Sequence, residues 1–144
     1  ILRPAHIVGP NVRNAPSKYL RLRLIPTLMG FDPIVQLTAE DDLLRMVEAA
    51  LEPGVRGVLN LASTDPVPLS KLLKIVGKPL LPVPLPLFRS YLNKAWKYRI
   101  TSFPAAELDH IRFNAVLDTT RAKELLEARA DRTLYEILEP FRAD

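Results

Sequence analysis

Apolar residues open the chain at Ile1, Leu2, Ala5, Ile7 and Val8, and Gly9-Pro10 closes the run. A short apolar run with β-branched members predicts a strand over 1–8, buried on both faces as in a parallel sheet. Pro4 has no N–H to give to a ladder, so it marks a disturbed point in that strand. In "APSKYLRLRLIPTLMG", Tyr19, Leu20, Leu22 and Leu24 stand among basic residues and predict a helix that Pro26 ends. Ile34 to Leu37 reads as a short strand. Asp41 and Asp42 then suit a helix N-terminus, Leu43, Leu44, Val47 and Ala50 form its apolar stripe, and Pro53-Gly54 stops it.

"GVLNLAS" is a further short strand running up to Asn60, and "VPLSKLLKIVGKP" a helix with Ser70 or Asp65 near its start and Gly77 at its end. The prolines of "KPLLPVPLPL" predict an extended surface segment. Helical spacing returns in "LFRSYLNKAWKYR", with Phe88, Tyr91, Leu92, Ala95 and Trp96 on or near one face. "AVLD" reads as a strand, Asp118 as the cap of the helix "TTRAKELLEA", and Thr133 with Glu136 as a capping box for a last helix. Strands separated by helices make the class α/β or α+β.

Composition narrows the chemistry. At 144 residues, 48% apolar and 25% charged, the chain suits one globular domain. It has no cysteine, which excludes disulfides and thiolate metal sites, and two histidines, His6 and His110, are too few for a zinc site. No apolar run approaches the roughly twenty residues needed to span a bilayer, and a reducing, cytoplasmic setting is the expectation. The net charge is +4, yet no acidic residue falls between Pro66 and Ala106, where Lys71, Lys74, Lys78, Arg89, Lys94, Lys97 and Arg99 cluster. Such a stretch attracts a diphosphate or another anion, or is a solvated face whose acidic partners lie elsewhere.

Catalytic signatures are missing. The glycines form neither a dinucleotide fingerprint nor a phosphate loop, no serine sits in a nucleophile elbow, and no tyrosine is followed four residues later by lysine. Glu40, Asp41 and Asp42 fit capping and helix-dipole roles better than acid–base or magnesium chemistry. The residues alone describe a binding domain without a reaction centre, so no catalytic residue and no metal ligand is assigned.

Four segments in order nevertheless carry a family likeness. "ILRPAHIVGPN" resembles the strand and turn that follow the catalytic tyrosine and lysine in extended short-chain dehydrogenases, the NAD-dependent epimerase/dehydratase family. "VQLTAEDDLLRMVEAAL", "GVLNLAS" with "LSKLLKIVGKP", and "AVLDTTRAKELLEA" with "TLYEIL" resemble that family's later segments. The resemblance implies an α/β fold: the C-terminal part of a Rossmann-like doubly wound sheet plus a small α/β substrate-binding domain. Residues 1–144 would then be the C-terminal substrate-binding portion of an NAD(P)-dependent enzyme, inactive without the N-terminal cofactor-binding half.

By the same resemblance, Pro4, Ala5 and His6 neighbour NAD or NADP, and His6, Asn11, Lys18 and Tyr19 line the substrate cleft, while Asn60 ties loops together. The substrate would be a small molecule, a nucleotide sugar or other anionic ligand, and a homodimer is compatible with the family. Ala39 stands where many members have histidine, Glu127, Ala128 and Ala130 replace the usual glycine, aromatic and proline, and Val35 or Gln36 occupies the place of an arginine found in nucleotide-sugar epimerases. A UDP-sugar is therefore not specified. Two rival readings remain: a non-catalytic dinucleotide- or partner-binding protein, and binding to a membrane surface through the basic, aromatic helix 87–99. No nucleic-acid motif accompanies the basic charge, so nucleic acid is not an expected partner.

Overall fold

The computed structural model describes residues 1–101, 104–126 and 130–143. In chain order its regular elements are β1 (Leu2–Pro4), β2 (His6–Val8), α1 (Ala15–Leu20), β3 (Ile25–Leu28), β4 (Ile34–Val35), β5 (Leu37–Ala39) and α2 (Glu40–Ala50). There follow β6 (Leu59–Leu61), β7 (Val67–Pro68), α3 (Leu69–Val76), β8 (Leu80–Val83), α4 (Leu85–Lys97), a 3-10 turn over Ala105–Ile111, α5 (Thr120–Leu125) and α6 (Leu134–Leu138). The fold is α/β, with parallel pairs β1–β6, β2–β5 and β3–β8 and a single short antiparallel pair, β4–β7, among the described residues.

The opening strand is split. Leu2 to Pro4 pairs with Leu59 to Leu61, the bend at Ala5 gives its N–H to the Leu61 carbonyl (2.8 Å), and His6 to Val8 then pairs with Leu37 to Ala39. Pro4 stays in register with Leu61, and the switch falls just after it, at Ala5. Burial on both faces does not hold: Leu2 packs inward while Arg3 is exposed, the alternation of a strand covered on one side.

The helix expected to run to Pro26 stops at Leu20. Pro26 instead lies in β3 opposite Leu81, a position a two-stranded edge tolerates. Helix α2 begins where the acidic triplet predicts, but its stripe is turned. Asp42 is fully buried against Arg45, Met46 lies one turn on, and Leu44 is 59% exposed.

Helix α3 buries Leu69, Leu72, Leu73 and Val76 and ends on Gly77 in the left-handed conformation (φ 72°), as predicted. Ser70 stands near its start as expected, at the second helical position, but caps nothing with its own side chain. Asp32, from the loop before β4, accepts from the Ser70 N–H (2.8 Å) and hydroxyl (2.7 Å). Residues Leu80 to Val83 are extended as the prolines suggested, here as β8. Helix α4 buries Phe88, Leu92 and Ala95, whereas Tyr91 and Trp96, at the margins of that face, are 61% and 50% exposed.

"AVLD" contributes one bridge, Ala115 to Val35. Side chains take the neighbouring ladder positions, since Asn114 accepts from the Ile34 N–H (2.8 Å) and Gln36 from the Leu117 N–H (2.6 Å). The N-cap of α5 is Thr119, and Asp118, one residue earlier, accepts from the Thr120 N–H and hydroxyl, while Thr133 and Glu136 form the expected box. The helix stops at Leu125, short of its expected end, with Leu126 extended, and Glu127 and Ala128 lie outside the described residues.

Two apolar clusters flank the split strand. The larger gathers Val8, Leu37, Leu73, Phe88, Ile137 and Phe141 with their neighbours, and the smaller unites Met46, Leu59, Leu61, Ala122 and Leu126. Thr38, whose hydroxyl donates to the Leu61 carbonyl (3.2 Å), and Ser63, whose hydroxyl accepts from the Ala39 N–H (2.9 Å), join the two strand systems.

Candidate functional site

Open parallel sheets bind ligands beyond the carboxyl ends of their strands, and β2 ends in the Gly9-Pro10 turn. That turn is built closely. A Cβ on Gly9 would stand 2.7 Å from the Glu40 Cβ and 2.6 Å from its Oε2, so glycine lets the turn lie against the start of α2. Arg21, just after α1, reaches back with its guanidinium to the carbonyls of Gly9 (2.9 Å), Pro10 (2.7 Å) and Val12 (3.2 Å). Asn14 caps α1 through the Ser17 N–H (3.0 Å) and donates its amide to the Ile7 carbonyl (2.7 Å), fixing the helix to β2.

His6 is half-buried at the start of β2. Its ring meets that of His110 edge to face, with centroids 5.4 Å apart at 83°, and His110 Nε2 lies 3.3 Å from Glu107 Oε2. Burial, and then the neighbouring His110, hold the His6 imidazole below its ordinary value, while Glu107 pulls the other way. His6 is therefore neutral near pH 7, with one ring nitrogen to donate and one to accept. The group can orient a hydroxyl or pass a proton. His110 and Glu107 escaped sequence reasoning because they lie in 80–114, the part of the chain without family likeness; the i, i+3 pairing of the second histidine with a glutamate was the available signal.

Residues His6, Tyr19, Glu107 and His110 line a cavity of about 50 Å³, walled by Leu37 and Leu69. Tyr19 and Ile111 also line a much larger groove of about 900 Å³, with Lys18 at its edge. The structure thus brings His6 and Tyr19 to one cavity, and Lys18 and Tyr19 to the next. The Tyr19 hydroxyl donates to the Pro26 carbonyl (2.9 Å) and burial raises its pKa, so the residue offers its ring, not its phenol. Asn11 lines neither space; it is exposed, and its N–H points at Glu40 Oε2 (3.4 Å).

Pro4 and Ala5 form the strand switch. Asn60 donates its amide to the Asp118 carbonyl (2.9 Å), the tying role expected of it. In the basic stretch, Lys78 gives its ammonium to the Leu20 carbonyl (2.9 Å) and so serves the fold. Among the described residues no group of three or more His, Asp or Glu side chains is arranged to hold a metal ion, and no helix is long and apolar enough to cross a membrane.

No family model matches the chain. It is 30% identical over 145 aligned residues to the uncharacterized protein Rv0501 of Mycobacterium tuberculosis, covering 98% of this chain and 38% of that protein. It is 29% identical over 143 residues to the uncharacterized protein Rv2047c of the same organism, covering 97% of this chain and 15% of that one. The chain therefore spans well under half the length of these relatives.

Among solved structures, it is similar to the Bordetella bronchiseptica enzyme WbmG in complex with NAD and UDP (TM-score 0.63, 16% identity, 97% of this chain and 40% of that one). It is similar also to UDP-glucuronic acid 4-epimerase from Bacillus cereus in complex with UDP-glucuronic acid and NAD (TM-score 0.64, 18% identity, 96% and 42%). A third is TunA, an NAD-dependent NDP-hexosamine 5,6-dehydratase of tunicamycin biosynthesis (TM-score 0.66, 10% identity, 97% and 42%). At these identities the likeness concerns fold: the described residues have the partial Rossmann-like α/β fold found in about two-fifths of the length of these enzymes.

Proposed function

We propose that residues 1–144 are the substrate-binding portion of an NAD(P)-dependent epimerase, dehydratase or reductase, inactive without a dinucleotide-binding half supplied by a longer chain. The observation that carries this reading is the split strand. A single extended segment leaves one parallel pairing at Ala5, enters another, and delivers a neutral His6 to a cavity it shares with Tyr19, Glu107 and His110. The likeness of fold to NAD-dependent sugar enzymes supports it.

The fit to a dinucleotide is specific in one respect. Pro4 has no N–H and the Ala5 N–H is held by Leu61, so these residues would meet a nicotinamide through carbonyl oxygens and van der Waals contact. When bound, the cofactor supplies hydride transfer. This chain's own residues hold the substrate: His6 orients a hydroxyl near the reacting carbon, and Lys18 and the Tyr19 ring line the space beyond it, while Asn11, exposed outside both spaces, would meet substrate only beyond the turn.

The test compares the full-length protein with residues 1–144 alone. Hydride transfer should require the longer chain, and His6→Ala there should lower kcat/KM about tenfold or more, ~1.4 kcal/mol of transition-state stabilisation. Turnover by the short chain would overturn the reading.

A second reading, binding to a membrane surface, rests on the end of α4. There Trp96, Tyr98 and Ile100 are exposed beside Lys94, Lys97 and Arg99. No co-sedimentation with anionic liposomes, or co-sedimentation that Lys94→Glu with Lys97→Glu leaves unchanged, would dismiss binding through this helix end.

A further inference from the structure

The groove between the β3–β8 pair and α4 is unlike a nucleotide site in what it lacks. Its wall includes Pro26, Pro82 and Pro84, none of which has an N–H, and nearby backbone donors are committed: Ile25 to the Pro79 carbonyl (2.9 Å) and Met29 to the Val83 carbonyl (3.1 Å). The Tyr19 hydroxyl is held by Pro26. Among the described residues that line it, Lys18 is the one charged side chain, too little to match a diphosphate, and Thr101 and the exposed Tyr91 add two hydroxyls. With so few polar side chains along its wall, a nucleobase placed here would leave much of its polar edge unanswered, a cost that opposes binding.

What the groove offers is hydrocarbon. Leu22, Leu24, Leu81, Leu87 and Tyr91 all line it and are all exposed, a contiguous apolar surface of the kind that marks a ligand groove. Its volume of about 900 Å³ lies within the range of small-molecule sites. It adjoins the His6 cavity through Tyr19 and Ile111.

The geometry points to an aliphatic chain, acyl or prenyl, as the part of the substrate that occupies this groove, with the polar, reactive end of the molecule directed toward His6. This deepens the enzyme reading above and rests on it. The substrate would be an amphipathic molecule whose apolar chain takes the place that a nucleotide would need hydrogen-bonding groups to fill.

The test uses the full-length protein that contains residues 1–144, titrated calorimetrically with dodecyl phosphate and with farnesyl phosphate below their micelle concentrations. The first stands for an acyl chain and the second for a prenyl chain, and inorganic phosphate and UDP are run alongside. At least one chain probe should bind with a negative heat-capacity change, resist displacement by phosphate and UDP, and bind about tenfold more weakly to Leu24→Asp and Leu81→Asp. Both positions are exposed, and Leu22→Gln is a milder variant should either aspartate disturb folding. Binding unchanged by these substitutions, displacement by UDP, or no binding of either probe because another part of the chain covers the groove would each overturn the proposal. NAD binding, measured separately, distinguishes the two failures: loss of NAD binding with chain binding intact overturns the enzyme reading, whereas NAD binding without chain binding overturns the groove.

Discussion

Three carbonyl oxygens converge on the guanidinium of Arg21, and together they hold the Gly9-Pro10 turn in place. Arg21→Ala should cost about 1–2 kcal/mol, since hydrogen bonds to a charged group are strong but this one is partly in water. Arg21→Lys should recover little, because an ammonium cannot reproduce the fork. Chemical denaturation measures both, and equal stability of the lysine variant and the parent would refute the fork argument. Gly9→Ala should cost a similar or larger amount, about 1–3 kcal/mol, by driving a methyl into the Glu40 Cβ. His6 gives the pH dependence. Its folded pKa lies below the ordinary 6.5, so as pH falls through that value the unfolded chain binds the proton first. The stability of the neutral imidazole is fully present above this range and is lost below it. Thermal melts of His6→Gln between about pH 7 and pH 5 should fall less steeply than those of the parent; parallel slopes would show that His6 is not the group responsible. Residues whose partners are close in sequence were legible, as with Thr133 and Glu136 or Asp118 and Thr120. Gln36 was not, because it binds Thr64 and Leu117, and no local pattern announces partners that distant.

Periodicity found most elements but not all their edges. Helix α3 was legible because Leu69, Leu72, Leu73 and Val76 follow helical spacing and Gly77 stops it, yet its cap comes from Asp32, 38 residues before Ser70. Asp32→Ala should therefore lower stability by about 1 kcal/mol, while Asp32→Asn, which retains an acceptor, should recover most of it. A melting temperature equally reduced in both variants would mean that the charge, and not the cap, matters. The end of α1 was misjudged for the opposite reason. Leu22 and Leu24 look like a continuing apolar stripe, but they face the groove beside β3, and Pro26 serves as a strand residue opposite Leu81. Tertiary pairing overrode the local breaker signal. The phase of α2 turned likewise, because a buried Asp42 with Arg45 set which side faces inward.

The two clusters differ in how well the described residues cover them. Around β2 and β5, the larger cluster is enclosed by α1, α3, α4 and α6, whereas β1 and β6 rest on the small set of Met46, Leu59, Leu61, Ala122 and Leu126. Arg3 is exposed on the opposite face of β1, where the proposed dinucleotide-binding half would pack. Local opening free energies follow the amount of apolar contact that opening must break. In residues 1–144 alone, the amides of Leu59 to Leu61 should therefore exchange with solvent faster than those of Leu37 to Ala39, although both strands are buried and hydrogen-bonded. In the full-length protein the difference should narrow, since packing on β1 would tie the small cluster to a second layer. Hydrogen exchange followed by mass spectrometry on both forms reads this directly. Equal protection of β6 in the two forms would show that the smaller cluster is complete by itself, and that the split strand is not the seam between two halves of one enzyme.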